Sequence, residues 1–386
     1  MLCIVEPVEP SVRWRPRAAI TLVFFLDGSV FSAWYSRLPA IQASLHLSPG
    51  QVGLALVGAP LGLLVAQPLV GAFISRRGSR PVVAAAPALL ATVVLPALAV
   101  DARTLLLATT AVGLGTGALD IAMNAQGLVV ERTVQRGLFS SLHAAFSFGA
   151  LAGASLAGAV AAAGVPPLPH LAVCAVLGAA AAAGSAPFLV NDRHAGGVRP
   201  IPLPLRPSRG MMALALVAFS ALLAEGAVFD WSGIFMAREL GTSQGTAALA
   251  LAAFSLGMGA GRLGADGASA RLGSAATGRL GAATAALGLG LALAVADPVG
   301  SIVGFALMGT GLSAVFPLTL RAAGIRGGPT ALAAISAGGY VGFLAGPPAI
   351  GLLADHVGLR VALAGVCLLC ALAAVLAGAL RTPDRP

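Results

Sequence analysis

Asn191-Asp192-Arg193-His194-Ala195-Gly196-Gly197-Val198-Arg199-Pro200-Ile201-Pro202-Leu203-Pro204-Leu205-Arg206-Pro207-Ser208-Arg209 lies at the middle of a 386-residue chain and interrupts an otherwise apolar sequence. Its four Pro and four Arg read as a polar linker. A membrane-crossing helix needs about 20 mainly apolar residues. On that measure six spans precede the linker, at 17–40, 51–75, 82–100, 104–130, 138–163 and 168–190. Six follow it, at 210–236, 244–265, 274–296, 298–321, 329–354 and 359–380. The organisation expected is therefore a bundle over 1–190, a linker over 191–209 and a second bundle over 210–386.

Composition agrees. Hydrophobic residues make up 58% of the chain and charged residues 10%, with a mean hydropathy of +0.93. A soluble domain carries about 25% charged residues, so this chain has too little charge to coat a soluble surface. A soluble enzyme, a disordered protein and a nucleic-acid binder are all disfavoured. The formal net charge of +9 comes entirely from arginine, without any lysine. Where those arginines fall matters more than their number. With both termini cytoplasmic, 19 of the 23 fall on the inner side, Arg262 among them, and only Arg37, Arg103, Arg238 and Arg360 fall outside. That asymmetry fits the preference of cytoplasmic segments for basic residues. Arg37 and Arg238 are expected to end their helices at the outer surface.

The basic stretch before the first span resembles a signal peptide. That span carries Asp27 and runs long, however, and is read as a retained helix. Cys367 and Cys370 form a CxxC inside the apolar run Leu363–Leu380, as packing cysteines rather than a metal or redox pair.

The two halves repeat one another. Asp27-Gly28-Ser29-Val30-Phe31 echoes Glu225-Gly226-Ala227-Val228-Phe229 at an offset of 198. Ser48, Gly50, Gly62, Arg76 and Gly78 match Ser243, Gly245, Gly257, Arg271 and Gly273 at 195. Gly149, Gly153 and Gly158 match Gly342, Gly346 and Gly351 at 193, and close helix packing accounts for these glycine ladders.

Two six-span halves in parallel repeat are the internal symmetry of major facilitator transporters, and a signature stretch adds to the likeness. Gly71-Ala72-Phe73-Ile74-Ser75-Arg76-Arg77-Gly78-Ser79-Arg80 resembles that superfamily's G-x-x-x-D-R-x-G-R-[RK] between its second and third helices. Gly71, Arg76, Gly78 and Arg80 fit, whereas Ser75 replaces the Asp that helps clamp the halves. Asp266 with Arg271, and Asp355 with Arg360, sit in partial copies of the same pattern, read as gating loops. Trp34–Ile41, Leu119–Gln126, Ser141–Ser147, Glu225-Gly226 with Asp230-Trp231, and Val315-Phe316-Pro317 are similar to the fucose-permease-like group of bacterial permeases. The fold implied is an all-α membrane protein of twelve transmembrane helices in two pseudo-twofold-related bundles. It would be multi-pass in a bacterial cytoplasmic membrane, and monomeric.

Ionisable residues inside spans cost about 2.5–3.5 kcal/mol each on insertion scales, so they mark function by default. Asp27 and Glu225 place one carboxylate in each half. Phe31 and Trp34 follow Asp27 on one helix face. Asp120 and Asn124 share a face of the fourth span, with Gln126 slightly off it, and Glu131 is expected to pair with Arg132 or Arg136. His143 has two open readings, a proton shuttle or a packing hydrogen bond. In proton-coupled members of the resembling group, acids of the first and fourth helices take part in coupling. By that resemblance Asp27 and Asp120 are the proton sites. Phe31, Trp34, Asn124, Gln126, Glu225, Asp230 and Trp231 are expected to face substrate.

The function expected is secondary active transport of a small solute, as proton-coupled import. The alternative is proton-driven export of an amphipathic compound, a drug or natural product; the lack of Pro in Gly149–Ala154 favours import. A non-transporting sensor is a weaker third. No metal cluster, nucleophile elbow or phosphate loop points to an enzyme or a cofactor. The partners expected are a small-molecule substrate, protons and the lipid bilayer, without nucleic acid.

Overall fold

The computed structural model describes residues 14–134, 138–192 and 208–381. Among them each expected span has its helix. These are α1 (Trp14–Ser44), α2 (Pro49–Arg77), α3 (80–98), α4 (Ala102–Val134), α5 (Phe139–Ala162) and α6 (Pro167–Phe188), then α7 (Arg209–Glu239), α8 (Gln244–Leu272), α9 (Ser274–Ala294), α10 (Pro298–Gly328), α11 (Thr330–Val357) and α12 (Leu359–Leu380). Most of the linker, and the ends of the chain, lie outside the described residues.

α3 is the irregular member. Two short α-helical pieces, Arg80–Ala84 and Ala86–Ala91, run into a 3-10 turn at Thr92–Leu98. Pro87 and Pro96 account for the breaks, since each lacks a backbone donor, while Pro81 sits in the first turn, where no donor is needed. α10 and α11 divide at Gly327 and Gly328, where Gly328 takes φ 61°.

Helix ends follow the repeat. Ser48 caps α2 by accepting from the Gln51 N–H, and its repeat partner Ser243 caps α8 by accepting from Thr246. Gly78, Gly273 and Gly358 close α2, α8 and α11 with φ of 79°, 81° and 84°. An L side chain is strained there, which explains why glycine recurs in each copy of the signature.

The chain names the two ends of the bundle. The terminal end carries Trp14, Arg209 and Arg381; the far end carries the α1–α2, α5–α6, α7–α8 and α11–α12 turns. Within each half a long helix pair packs through small residues. Gly149 and Gly153 of α5 lie against the backbone carbonyls of Phe25 and Ser29 in α1, and Gly342 of α11 lies against Phe219 of α7. Across the halves, close backbone approaches occur at the far end. A Cβ on Gly158 would stand 2.9 Å from the Gly245 carbonyl, joining α5 to α8. Gly53 meets the Pro347 carbonyl, joining α2 to α11. Leu107, Val173, Leu287, Leu368 and Val375 point outward and exposed, as a lipid-facing belt requires.

Candidate functional site

The centre of the bundle is built on α1, α2, α4, α7 and α11. Asp27 is buried in α1 with its Oδ1 unpartnered. It lies within Coulombic reach of Asp120 in α4. Asn124, one turn along α4, donates to the Asp120 carboxylate at 2.9 Å and to its carbonyl at 2.8 Å. Asp120 in turn lies within Coulombic reach of Tyr340 in α11, which is close to Gln67 of α2. Tyr340 carries the set into a small cavity of about 110 Å³ between the halves. Phe31, Tyr35, Tyr340 and Phe343 supply its aromatic wall, with Leu63 and Thr116 beside them.

The aromatics run on across the pseudo-twofold. Phe31 stacks edge-on against Tyr35 at 4.8 Å and Phe229 at 5.3 Å, and Tyr35 meets Phe229 at 5.5 Å. Trp34 contacts Tyr35 at 4.1 Å but is fully buried in packing. Trp231 is equally buried, its ring against Gly351. Asp230 is buried beside Tyr35, within Coulombic reach of it.

Glu225 has a partner that the sequence reading set elsewhere. Arg262, counted with the inner-side arginines near the end of the 244–265 span, is held within the bundle because α8 continues to Leu272, with Nη2 3.8 Å from Glu225 Oε1. The same guanidinium donates to Ser147 Oγ at 2.6 Å and to the His143 carbonyl at 3.3 Å, both on α5. The cation therefore ties the two halves together. His143 itself packs edge-on against Phe24 and Phe139.

Three further expectations change. Arg37 does not end α1; the helix runs on to Ser44 and Arg37 is buried, donating to the Val165 carbonyl. Glu131 accepts from the Leu138 and Phe139 N–H groups at 2.7 and 2.9 Å and so caps α5, rather than pairing with Arg132; Arg136 lies outside the described residues. Gln126 is not beside Asp120. It donates to Ser79 Oγ at 3.1 Å and to the Val190 carbonyl at 3.0 Å, at the terminal end.

That terminal network includes a carboxylate that the sequence hid in its linker. Asp192 accepts from the Ser79 N–H, the Ser79 hydroxyl and the Arg80 N–H, at 2.6–3.2 Å. It holds the α2–α3 turn where Ser75, bonded only to Ala72 of its own helix, supplies no acid. Gly71 has open space around it and Arg76 is exposed. Asp266 lies with Arg279, Arg321 and Arg381 at a terminal-end cleft of about 570 Å³, and Arg271 is exposed nearby. Asp355 crosses between the halves at the far end, accepting from the Gly50 N–H at 3.0 Å and the Ser48 hydroxyl at 3.1 Å. Arg360 stays within its own half, 4.0 Å from Glu239 and stacked over Phe235.

Two six-helix halves closed over polar groups at mid-depth define a multi-pass membrane transporter. The family model described as Major Facilitator Superfamily matches residues 19–324 and also 214–386, and the chain belongs to that superfamily. It is 32% identical over 369 residues to an uncharacterized MFS-type transporter of Yersinia pestis, covering 94% of this chain and 95% of the relative. It is 33% identical over 381 residues to the uncharacterized transporter y4wD of Sinorhizobium fredii, covering 95% and 98%. Membrane protein MosC of Rhizobium meliloti is 29% identical, covering 92% and 88%. Among solved structures, the nucleoside transporter NupG superposes with a TM-score of 0.69 at 13% identity, over 94% of this chain and 98% of that one. A bacterial homologue of the lysosomal transporter Spinster, inward-facing and occupied, superposes at 0.70 with 16% identity, over 97% of each chain. These likenesses establish the fold.

Proposed function

We propose that this transporter couples solute movement to protons at Asp27 and Asp120. The observation that carries the reading is two buried carboxylates within Coulombic reach of each other at mid-depth, one with an unpartnered oxygen, each one helical turn from a residue lining a cavity between the halves. An ionised pair there is costly, so proton uptake and release belong to the same cycle as solute binding. The solute sits in the aromatic cavity, with Phe31 at its wall. Asp230 and Glu225 act from the second half, Glu225 by holding Arg262.

The direction proposed is import, with both termini and residues 191–209 cytoplasmic and the chain acting as a monomer. This makes the far end extracellular, and the close contacts at Gly158 and Gly53 seal the outside. The aromatic, mostly apolar cavity supports the second reading, exchange of an amphipathic compound against protons.

Cysteine labelling at Gly164 and Gly197 tests the orientation; Gly197 lies outside the described residues. Labelling of the two from opposite sides is expected, and labelling from one side would sink the twelve-span topology. A ligand found by thermal-shift screening is then followed in proteoliposomes under an imposed pH gradient. Equilibration without accumulation under either polarity would overturn proton coupling.

A further inference from the structure

We infer that the solute is a small organic cation, an ammonium compound, and this rests on the aromatic cavity being the transport site. Four rings, Phe31, Tyr35, Tyr340 and Phe343, line one small space. Rings present a negative face, and a cation set against several of them is attracted by each.

The polar groups nearby have the matching sign. Asp27 is one helical turn from Phe31, Asp120 one turn from Thr116, and Gln67 one turn from Leu63, and all three turns lead toward the terminal end. Carboxylates therefore form the layer below the cavity. Tyr340, in the wall, is within Coulombic reach of Asp120 and close to Gln67, so wall and layer adjoin. Asp27 has an oxygen that nothing among the described residues satisfies. The nearby cation of the bundle interior, Arg262, is already engaged by Glu225, Ser147 and the His143 carbonyl.

Other solutes fit less well. A polyol brings several hydroxyls into a wall whose polar groups are Thr116 and two phenols, and unpaired buried hydroxyls are costly. An anion meets two carboxylates, while the buried guanidiniums are drawn elsewhere, Arg262 to Glu225 and Arg37 to the Val165 carbonyl. A compact ammonium group meets rings on its sides and carboxylate beneath.

The test is a charge comparison at constant shape. The purified full-length chain is heated in detergent with choline or butylamine, with their uncharged isosteres dimethylbutanol and butanol, and with butyrate. The ammonium compounds should raise the unfolding temperature and the isosteres should not. Phe343→Leu, which keeps apolar bulk, should weaken choline by roughly fivefold while the ligand-free unfolding temperature holds. The inference is overturned if an uncharged or anionic member stabilises as strongly as its cation, or if no ammonium compound stabilises at all. Gradient-driven flux separates this from the coupling reading. A chain that prefers cations but ignores the proton gradient keeps this assignment and loses proton coupling; one driven by protons that prefers an uncharged solute loses this assignment alone.

Discussion

Phe31 of α1 and Phe229 of α7 occupy the same register of the two repeats and touch, with ring centroids 5.3 Å apart at 64°. Residues related by a pseudo-twofold meet only where the axis passes between them. The pair therefore marks the axis, and it places Asp27 and Glu225, one turn below, on opposite sides of it. Edge-to-face aromatic pairs are worth about 0.5–1.5 kcal/mol beyond their burial. A double-mutant cycle with Phe31→Leu and Phe229→Leu, read by SDS-induced unfolding, should give a coupling within that range. Additive effects would mean that the rings contribute only bulk.

The far-end seal gives a second expectation. Gly53 abuts the Pro347 carbonyl, and Asp355 bonds to the N-terminus of α2. Gly53→Leu has no room and should push α2 from α11. Asp355→Asn keeps shape but loses charge at a helix N-terminus, for about 0.3–1 kcal/mol. Both should increase labelling of a cysteine placed at Gln51, Gly53→Leu by more. Unchanged labelling in Gly53→Leu would show that the contact does not hold the far end closed.

Asp101 gives a pH expectation outside the membrane. Its carboxylate accepts from the Thr104 N–H at 2.8 Å and the Thr104 hydroxyl at 2.7 Å, capping α4. The Thr104 backbone bond, then the hydroxyl, hold the Asp101 pKa below its ordinary value. A depressed folded-state pKa contributes stability above the unfolded value that is lost as pH falls through the folded one. The wild type should thus lose stability below about pH 4 by a share that Asp101→Asn lacks. Identical acid profiles for the two would remove this role.

The repeat was legible because its marks are chemical. Ser48 and Ser243 cap equivalent helices, and Gly78, Gly273 and Gly358 take the same backbone angle. Asp27 and Asp120 stood out because charge inside a span is expensive. Arg262 stayed hidden because it falls near the inner end of the 244–265 run, where it counts as one more cytoplasmic arginine, whereas α8 runs on to Leu272 and keeps it inside the bundle. Gln126 follows Asp120 by six positions, a rotation that turns it away from the acid toward Ser79. Tyr35, Tyr340 and Phe343 carried no signal, since an aromatic in an apolar run does not declare which face it takes.

The last expectation separates the two halves. Asp120 has no acidic counterpart in α10, where Ala314 and Leu318 stand, whereas Asp27 and Glu225 are repeat-related. Glu225 is also paired with Arg262, which reaches Ser147 across the interface. A carboxylate held by a guanidinium keeps its charge through the cycle more readily than one beside another carboxylate. Coupling should therefore sit on Asp27 and Asp120, with Glu225 acting through the geometry of Arg262. Asp27→Asn keeps hydrogen bonding but takes up no proton, so it should retain ligand binding and lose accumulation against a gradient. Asp120→Asn should move the pH midpoint of transport, measured over about pH 5 to 8, a range that brackets an ordinary histidine as well. Glu225→Gln frees Arg262 from its countercharge and should raise the apparent substrate constant while leaving that midpoint in place. If Glu225→Gln moves the midpoint and Asp120→Asn does not, the proton site lies in the second half and Arg262 belongs to it.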